Sequence, residues 1–472
     1  MKRVVVLGGT FNPITNEHLN IVKKVLHKLD LDEAYFLIAK NPRWKDTLDV
    51  KHRLKMLLLA LNNYPNYHIL DIELKSDAET NYTYDSMLEF KKDDMEIYYI
   101  IGSDQLNQLD KWYHIDDLCE LVNFVLVHRD GYEDNQDFIK KYHVLDLNIK
   151  GSEVSSTKIR QYISDDAPKC VIDYIYQNHL YIDDSLKYRL KEKRYLHSKS
   201  VASLAYDIAK SNGLDENKAY LAGLIHDVAK YMSNEELTQI MQEKYPMEMH
   251  RNINIWHQYV GSEVIQDLYH IKDKDIIEAV RYHTTAKLNL GQLGKIIFVS
   301  DKLDPLRGYD SSKLIDICKE NIDIGYNLCL MDNRDYLARK KVKVDEESKK
   351  IFMEAIKENE LLLLKEIYKA LDEKKATDIE IIDMRQHSAD FSYFIIASAD
   401  NARLSKSLAY EVEDTLAKFD YPIKHIEGKN DDEWVLVDAN EYIVHIFVKD
   451  ARKKYNLEKL YADLDRVTFE NE

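Results

Sequence analysis

Over the first 150 or so residues, short β-rich runs at Val4–Leu7, Tyr35–Ile38, Ile97–Ile101 and Phe124–Val127 alternate with helical patterns. That order predicts a doubly wound parallel sheet. From about 185 to 345 the strand signal disappears. Apolar residues then recur at helical spacing, as in Val201, Leu204, Ala205 and Ile208, a run closed by Asn212-Gly213, so the middle of the chain is expected to be all-α. A charged stretch from Lys340 to Lys375 reads as helix, and strands return at Ile379–Ile382, Tyr393–Ala397, Trp434–Val437 and Tyr442–Val448. Leu404, Leu408, Val412 and Leu416 mark a helix covering one face of this last sheet. The expected fold is multidomain: doubly wound α/β, then all-α, then a small α/β mixed-sheet domain.

A length of 472 residues favours three globular units over one core, and 45% hydrophobic with 32% charged residues fits neither disorder nor a membrane protein. The opening MKRVVVLGG has too short an apolar run for a signal peptide. Cys119, Cys170, Cys318 and Cys329 form no C-x-x-C pair and suit a reducing compartment, so a cytoplasmic location without membrane association is expected. A net charge of -17 argues against broad phosphate-backbone binding while leaving room for a local basic patch, and no direct sequence-specific nucleic-acid binding is expected.

The segment GGTFNPITNEHL follows the first strand and enters a helix with apolar residues at Leu19, Val22, Leu26 and Leu29. Gly8 and Gly9 let backbone approach a ligand closely, and a helix N-terminus offers N–H groups to phosphates. Thr15 and His18 sit at that terminus, where a hydroxyl and an imidazole could meet phosphate charge. Later, GSEVSSTKIRQYI places Ser155, Ser156 and Thr157 before a helix carrying Lys158 and Arg160, a second arrangement suited to phosphate. Taken by itself, the Ser-Ser-Thr is explained equally well by a plain helix cap.

Together these two elements resemble the H/T-x-G-H and I-S-S-T-x-I-R signatures of the nucleotidylyltransferases. With HRLKMLLLAL, NYTYDSM, YIIGSDQLNQLDKWYHIDDL and VIDYIYQNHLY, residues 1–182 resemble the bacterial nicotinate-nucleotide adenylyltransferases. The resemblance implies a Rossmann-like domain that transfers adenylyl from ATP, with Mg2+, to nicotinate mononucleotide. It makes Thr15, His18, Arg160 and Lys45 of the substrate loop catalytic, with Thr15 and His18 on the triphosphate, Gly8, Gly9, Thr10 and Phe11 binding the nucleotide, and Ser156, Thr157 and Arg160 clamping the far end of the triphosphate. Gly102 and Asp104 would meet adenosine, while Tyr82, Thr83 and Trp112 would receive the nicotinate ring. Thr15 and Glu17 depart from the usual histidine and glycine, and the substrate loop reads NPRWK, with Arg43 and Trp44 changed and Lys45 kept. An acid beside phosphates is unfavourable unless it points away or helps to hold Mg2+. An acceptor such as pantetheine phosphate and a degenerate, nucleotide-sensing domain are the alternatives.

In the middle region His197, His226, Asp227, His257, His283 and Asp301 are separated by 29, 1, 30, 26 and 18 positions. About thirty residues make one helical hairpin, so successive helices can each present a ligand to one interior. Six N and O ligands without thiolate suit two divalent ions of the iron or manganese type. The strings KRYLHSKSVA, LAGLIHDVAKY, IWHQYVGSEV, AVRYHTT and IIFVSDKLDP resemble the HD phosphohydrolases over residues 187–345, most closely the symmetrical dinucleoside tetraphosphatases. That resemblance implies hydrolysis of diadenosine tetraphosphate to two ADP. It places His197, His226, Asp227 and Asp301 on one metal and His257 and His283 on the second, with another phosphate ester or a cyclic dinucleotide as alternative substrates. Lys230, Arg281 and Arg307 are candidate phosphate contacts.

From Glu360 onward there are 16 Lys/Arg against 25 Asp/Glu and no nucleophile–base pair; His387, His425 and His445 are isolated and read as structural. An acidic module should prefer a basic partner. KKATDIEIIDM, ADFSYFIIASADNARLSKSLAYEVED and the segment from GKNDDEWVLVD to LYADL resemble the ribosomal silencing factors over residues 362–466. This implies docking on ribosomal protein uL14 of the large subunit that hinders subunit joining, with Trp434, Tyr455 and Tyr461 as candidate contacts.

Overall fold

A computed structural model describes residues 2–40, 47–152, 155–428 and 433–469. The chain divides into two compact units, one of residues 1–191 with 267–271, the other of residues 192–266 with 272–472.

The first unit is built on a six-stranded sheet of β1 (Lys2–Gly9), β2 (Glu33–Ile38), β3 (Tyr67–Leu70), β4 (Met95–Gly102), β5 (Asn123–His128) and β6 (Leu145–Lys150). Their order is β3-β2-β1-β4-β5-β6, and every neighbouring pair is parallel. Central strands are apolar on both faces because helices cover both. Val5 and Leu7 pack into one core with Phe36 and Val125, while Val4 and Val6 pack into the other with Ile97 and Ile101. Chain order reverses between β1 and β4, which opens a crevice beyond their carboxyl ends. Gly8-Gly9 and Gly102 end those two strands.

The second unit begins with helices Glu192–Ser211 and Glu216–Ile225 and continues through Trp256–Tyr269, Lys274–Tyr282, Gln292–Leu303, Ser312–Glu320 and Ile322–Arg339. The long helix Glu346–Glu373 then leads into β7 (Thr377–Asp383), β8 (Tyr393–Ala399), β9 (His425–Glu427), β10 (Trp434–Ala439) and β11 (Tyr442–Val448). These form a mixed sheet in the order β7-β8-β11-β10-β9, with β8 and β11 parallel and the other neighbours antiparallel. One face packs against Leu408, Val412 and Leu416 of helix Ala402–Lys418 and against Leu363, Leu364, Ile367 and Leu371 of the long helix. Ile317 and Ile324 of the preceding helices belong to the same core, so the all-α region and the closing sheet share apolar packing. Among the described residues no helix is long and apolar enough to cross a membrane.

Candidate functional sites

At the switch point of the first sheet, space is made by missing side chains. A Cβ on Gly8 would lie 2.1 Å from the Tyr99 hydroxyl, and one on Gly102 would lie 2.6 Å from an Asp104 carboxylate oxygen. Tyr99 is buried and its hydroxyl bonds Thr83, so it has little room to yield. Thr10 is held through its carbonyl by the Arg53 guanidinium at 2.8 Å, and Phe11 is buried with its ring edge-on to His18.

Thr15 is the N-cap of helix Asn16–Leu29, and with His18 it forms a capping box. His18 Nδ1 accepts the Thr15 backbone N–H at 3.0 Å and lies 2.8 Å from Thr15 Oγ1. The neutral ring therefore carries its proton on Nε2, and burial, with Arg129 nearby, pushes the imidazole down to about 4. Thr15 thus fixes the tautomer in which His18 is a hydrogen-bond donor. Of the second element, Ser155 caps helix Ser156–Arg160, Ser156 donates to Pro13 O at 2.8 Å, and Arg160 donates to Asn12 O at 2.8 Å and to Thr157 Oγ1 at 3.2 Å. The two phosphate-type elements therefore meet, and part of the second one's bonding holds the loop of the first. Asp104 pairs with Arg129 at 3.4 Å. Tyr82 stacks on Tyr113 with ring centroids 4.3 Å apart, and half-buried Trp112 stands edge-on to Tyr99 and Phe124. Lys45, with Arg43 and Trp44, lies outside the described residues.

In the second unit all six predicted ligands are buried. Two groups of side chains present ligand atoms within 4.8 Å of one another, His197–His226–Asp227 and Asp227–His257–His283, and Asp227 is common to both. Asp301 Oδ1 lies 3.1 Å from His197 Nε2 and 3.9 Å from His226 Nε2. Each histidine has Nδ1 bound to an acceptor: Asp304 Oδ2 for His197 (2.5 Å), Gly223 O for His226 (2.6 Å), Asn254 O for His257 (2.9 Å) and Val280 O for His283 (2.7 Å). Nδ1 donates in each case, which leaves the Nε2 lone pairs facing inward. Those of His257 and His283 stand 3.2 Å apart, and buried His226 Nε2 has no hydrogen-bond partner. Lone pairs converging on carboxylates without hydrogens between them fit divalent cations. Burial opposes charge on Asp301, yet Lys302, at 3.4 Å, and Arg307 help to hold its carboxyl well below the usual range.

Cations surround these ligands. Arg194 reaches Asp227 Oδ2 at 2.7 Å, Arg307 reaches Asp301 Oδ1 at 2.5 Å, and Lys230 Nζ lies 3.2 Å from His257 Nε2. Arg281 instead bonds Ser262 and Glu263, away from the ligands. Reading the sequence missed Asp304, Arg194 and Arg53. Asp304 and Arg194 each lie three positions from a ligand, Asp301 and His197, and that spacing was the available signal. Arg53 gave none, because its partners are backbone carbonyls of Thr10, Ala39, Lys40 and Leu48.

In the closing sheet Trp434 stacks on His445 and Phe447 and leans on Tyr455, while Tyr461 stands edge-on to Phe394. Tyr455 is exposed. His445 is buried and both ring nitrogens lack partners.

Three families match the chain: cytidylyltransferase-like over residues 6–162, HD domain over 194–306, and ribosomal silencing factor during starvation over 357–472. A relative from Mycoplasma genitalium, described as "Probable nicotinate-nucleotide adenylyltransferase/Ap4A hydrolase", is 31% identical over 341 residues, covering 70% of this chain and 97% of the relative. A Mycoplasma pneumoniae protein of the same description is 28% identical over 347 residues, covering 69% and 97%. A solved structure from Clostridium acetobutylicum, described as a "predicted HD superfamily hydrolase involved in NAD metabolism", is 25% identical and covers 38% of this chain and 96% of its own, with a TM-score of 0.34. The chain belongs to the family of nicotinate-nucleotide adenylyltransferase/Ap4A hydrolases and carries, in addition, a ribosomal silencing factor domain.

Proposed function

We propose that this chain transfers adenylyl from Mg-ATP to nicotinate mononucleotide in its first domain, hydrolyses diadenosine tetraphosphate to two ADP in its HD domain, and docks on the large ribosomal subunit, at uL14, through its last domain. The domains are residues 1–182, 187–345 and 362–466. The observation that carries the hydrolase is the pair of ligand groups joined at Asp227.

In the first reaction a phosphate oxygen of the mononucleotide attacks the α-phosphorus of ATP and pyrophosphate leaves, so the protein positions and neutralises rather than reacts. His18 Nε2–H supplies a donor whose tautomer is preset by Thr15. Mg2+ would travel with the ATP. Open backbone at Gly8, Gly9 and Gly102 admits the nucleotide, and Trp112, Tyr82 and Thr83 offer the nicotinate side of the crevice.

In the second, water attacks a phosphorus of the tetraphosphate chain, one bridging P–O bond breaks, and ADP leaves. His197, His226, Asp227 and Asp301 would hold one divalent ion and His257 and His283, with Asp227, the other, of the iron or manganese type. When bound, such ions supply Lewis acidity toward phosphate and toward water. Arg194, Lys230 and Arg307 supply charge to orient the polyphosphate. For the third domain, the exposed aromatic edge at Tyr455 next to Trp434 supports docking on a basic ribosomal protein.

One experiment tests both catalytic readings: pyrophosphate release from Mg-ATP with nicotinate mononucleotide or pantetheine phosphate, and ADP release from diadenosine tetraphosphate, each by wild type, His18→Ala and His226→Ala. Each variant should lose one reaction and keep the other. Turnover with pantetheine phosphate alone would transfer the first domain to the other acceptor. ATP binding without turnover would make it a sensor.

A further inference from the structure

Glu17 stands where the signature it resembles has glycine, and the proposed chemistry makes no use of its carboxylate. The side chain is nevertheless buried, at 9% exposure, in the first turn of helix Asn16–Leu29. Oε1 accepts the backbone N–H of Ser152 at 3.0 Å, and Oε2 accepts the Asn20 amide at 3.2 Å. A carboxylate in a first helical turn is also favoured by the helix dipole. Its negative charge is therefore engaged by two donors and a dipole rather than left to oppose an incoming phosphate.

The Ser152 bond spans 135 positions and joins the two phosphate-type elements. Other bonds run between the same regions. Ser156 and Arg160 hold Pro13 O and Asn12 O at the tip of the first loop, and Asn16 Nδ2 holds Asp166 Oδ1 at 2.7 Å beyond the second helix. Ser152 lies elsewhere, just past the end of β6 and before the cap Ser155. Glu17 thus grips the entrance of the second element while the others grip its helix and exit.

We propose that Glu17 is a positioning residue that docks the second element on the glycine cradle, so that Thr157 and Arg160 are held ready for the far end of a nucleoside triphosphate. This rests on the adenylyltransferase reading of the first domain. Glycine at position 17 can form no such bond, so this chain has replaced a space-making residue with a tether. Holding groups in place before substrate arrives lowers the ordering cost of binding, so the tether should act mainly on ATP affinity.

The test uses the full chain and compares wild type with Glu17→Gly, Glu17→Ala, Glu17→Gln and Ser152→Pro. Glutamine keeps an amide oxygen for the Ser152 N–H and drops the charge, whereas proline removes the N–H and leaves Glu17 intact. Pyrophosphate release gives KM for Mg-ATP and kcat, a fluorescent ATP analogue gives Kd, and diadenosine tetraphosphate hydrolysis by the same preparation reports that the rest of the chain is intact. Glycine, alanine and proline should raise KM and Kd about tenfold with kcat within about threefold, and glutamine should stay within about threefold of wild type throughout. Unchanged or tighter ATP binding in Glu17→Gly would overturn the proposal. So would equal losses in Glu17→Gln and Glu17→Gly, which would assign the effect to charge. If the wild type releases no pyrophosphate with any acceptor, the adenylyltransferase reading fails, and the analogue Kd across the same variants still decides for or against the tether.

Discussion

The glycine cradle and the histidine–aspartate cluster, as proposed phosphate sites, are built in opposite ways. The cradle is made of backbone at the ends of two adjacent parallel strands. Its essential feature is missing atoms at Gly8 and Gly102, and its one imidazole is held neutral as a donor. The cluster is made of side chains from several helices and the turns that end them, every one buried, with lone pairs turned inward toward the carboxylates. The first needs only a local turn and a sheet behind it. The second exists only when the helices are packed, because no single element supplies more than a few of its ligands. Damage to the cradle should therefore be local and graded, whereas damage at the shared carboxylate should be total.

The largest effect tests that contrast directly. Asp227→Ala removes the residue common to both ligand groups, so metal analysis should show loss of bound ions and ADP release should fall at least about a thousandfold, with pyrophosphate release unchanged. Retention of one firmly bound ion would break the picture of a shared carboxylate. Asp304→Ala comes next. It leaves His197 Nδ1 and Ser200 Oγ without their common acceptor, and metal affinity measured by competition with a chelator should weaken by about 10- to 100-fold while the ligand set stays complete. On the cradle side, Gly8→Ala drives a methyl into the Tyr99 hydroxyl. It should cost about 1–3 kcal/mol of stability by overpacking, seen in denaturant unfolding, and slow pyrophosphate release by about tenfold without altering hydrolysis.

How legible each region was in the sequence follows from the same difference. The central strands announced themselves because both faces are buried, which makes β1, β2, β4 and β5 continuous apolar runs. The edge strands β3 and β6 did not, since β6 buries only Ile149 on a chain of exposed Leu145, Asp146 and Lys150. Three-residue β9 is too short to leave a pattern. In the all-α region the candidate ligands that come together could be picked out because imidazoles and carboxylates at hairpin spacing are unusual. Asp304 was legible only through its spacing three positions after Asp301, because it lies just past the end of that helix and meets His197 only in the fold. Glu17 read as an anomaly because its partner is a backbone N–H 135 positions away, and backbone has no signature in sequence. The charge pattern gave a basic partner for the last domain but no hint that Ile317 and Ile324 of the helical region share its core.

The smallest predicted effect separates a metal-type histidine from one that is merely enclosed. His445 is buried among Phe394, Trp434 and Phe447, neither ring nitrogen has a partner, and burial pushes its imidazole down to about 4. A folded pKa below the unfolded value of 6.5 means that the unfolded chain binds the proton more readily. The contribution of His445 to stability is therefore complete above about pH 6.5 and is lost as pH falls toward 4. Between pH 7.5 and pH 5 this loss is about 2 kcal/mol. His445→Phe fits the same aromatic surroundings and cannot take up a proton. Denaturant unfolding of wild type and variant at both pH values isolates the term, because other titrating groups cancel in the difference: the variant should gain about 2 kcal/mol relative to wild type on acidification. No change in that difference would mean that the imidazole finds a partner for its charge, which would move His445 from the enclosed class toward the candidate ligand histidines of the helical site.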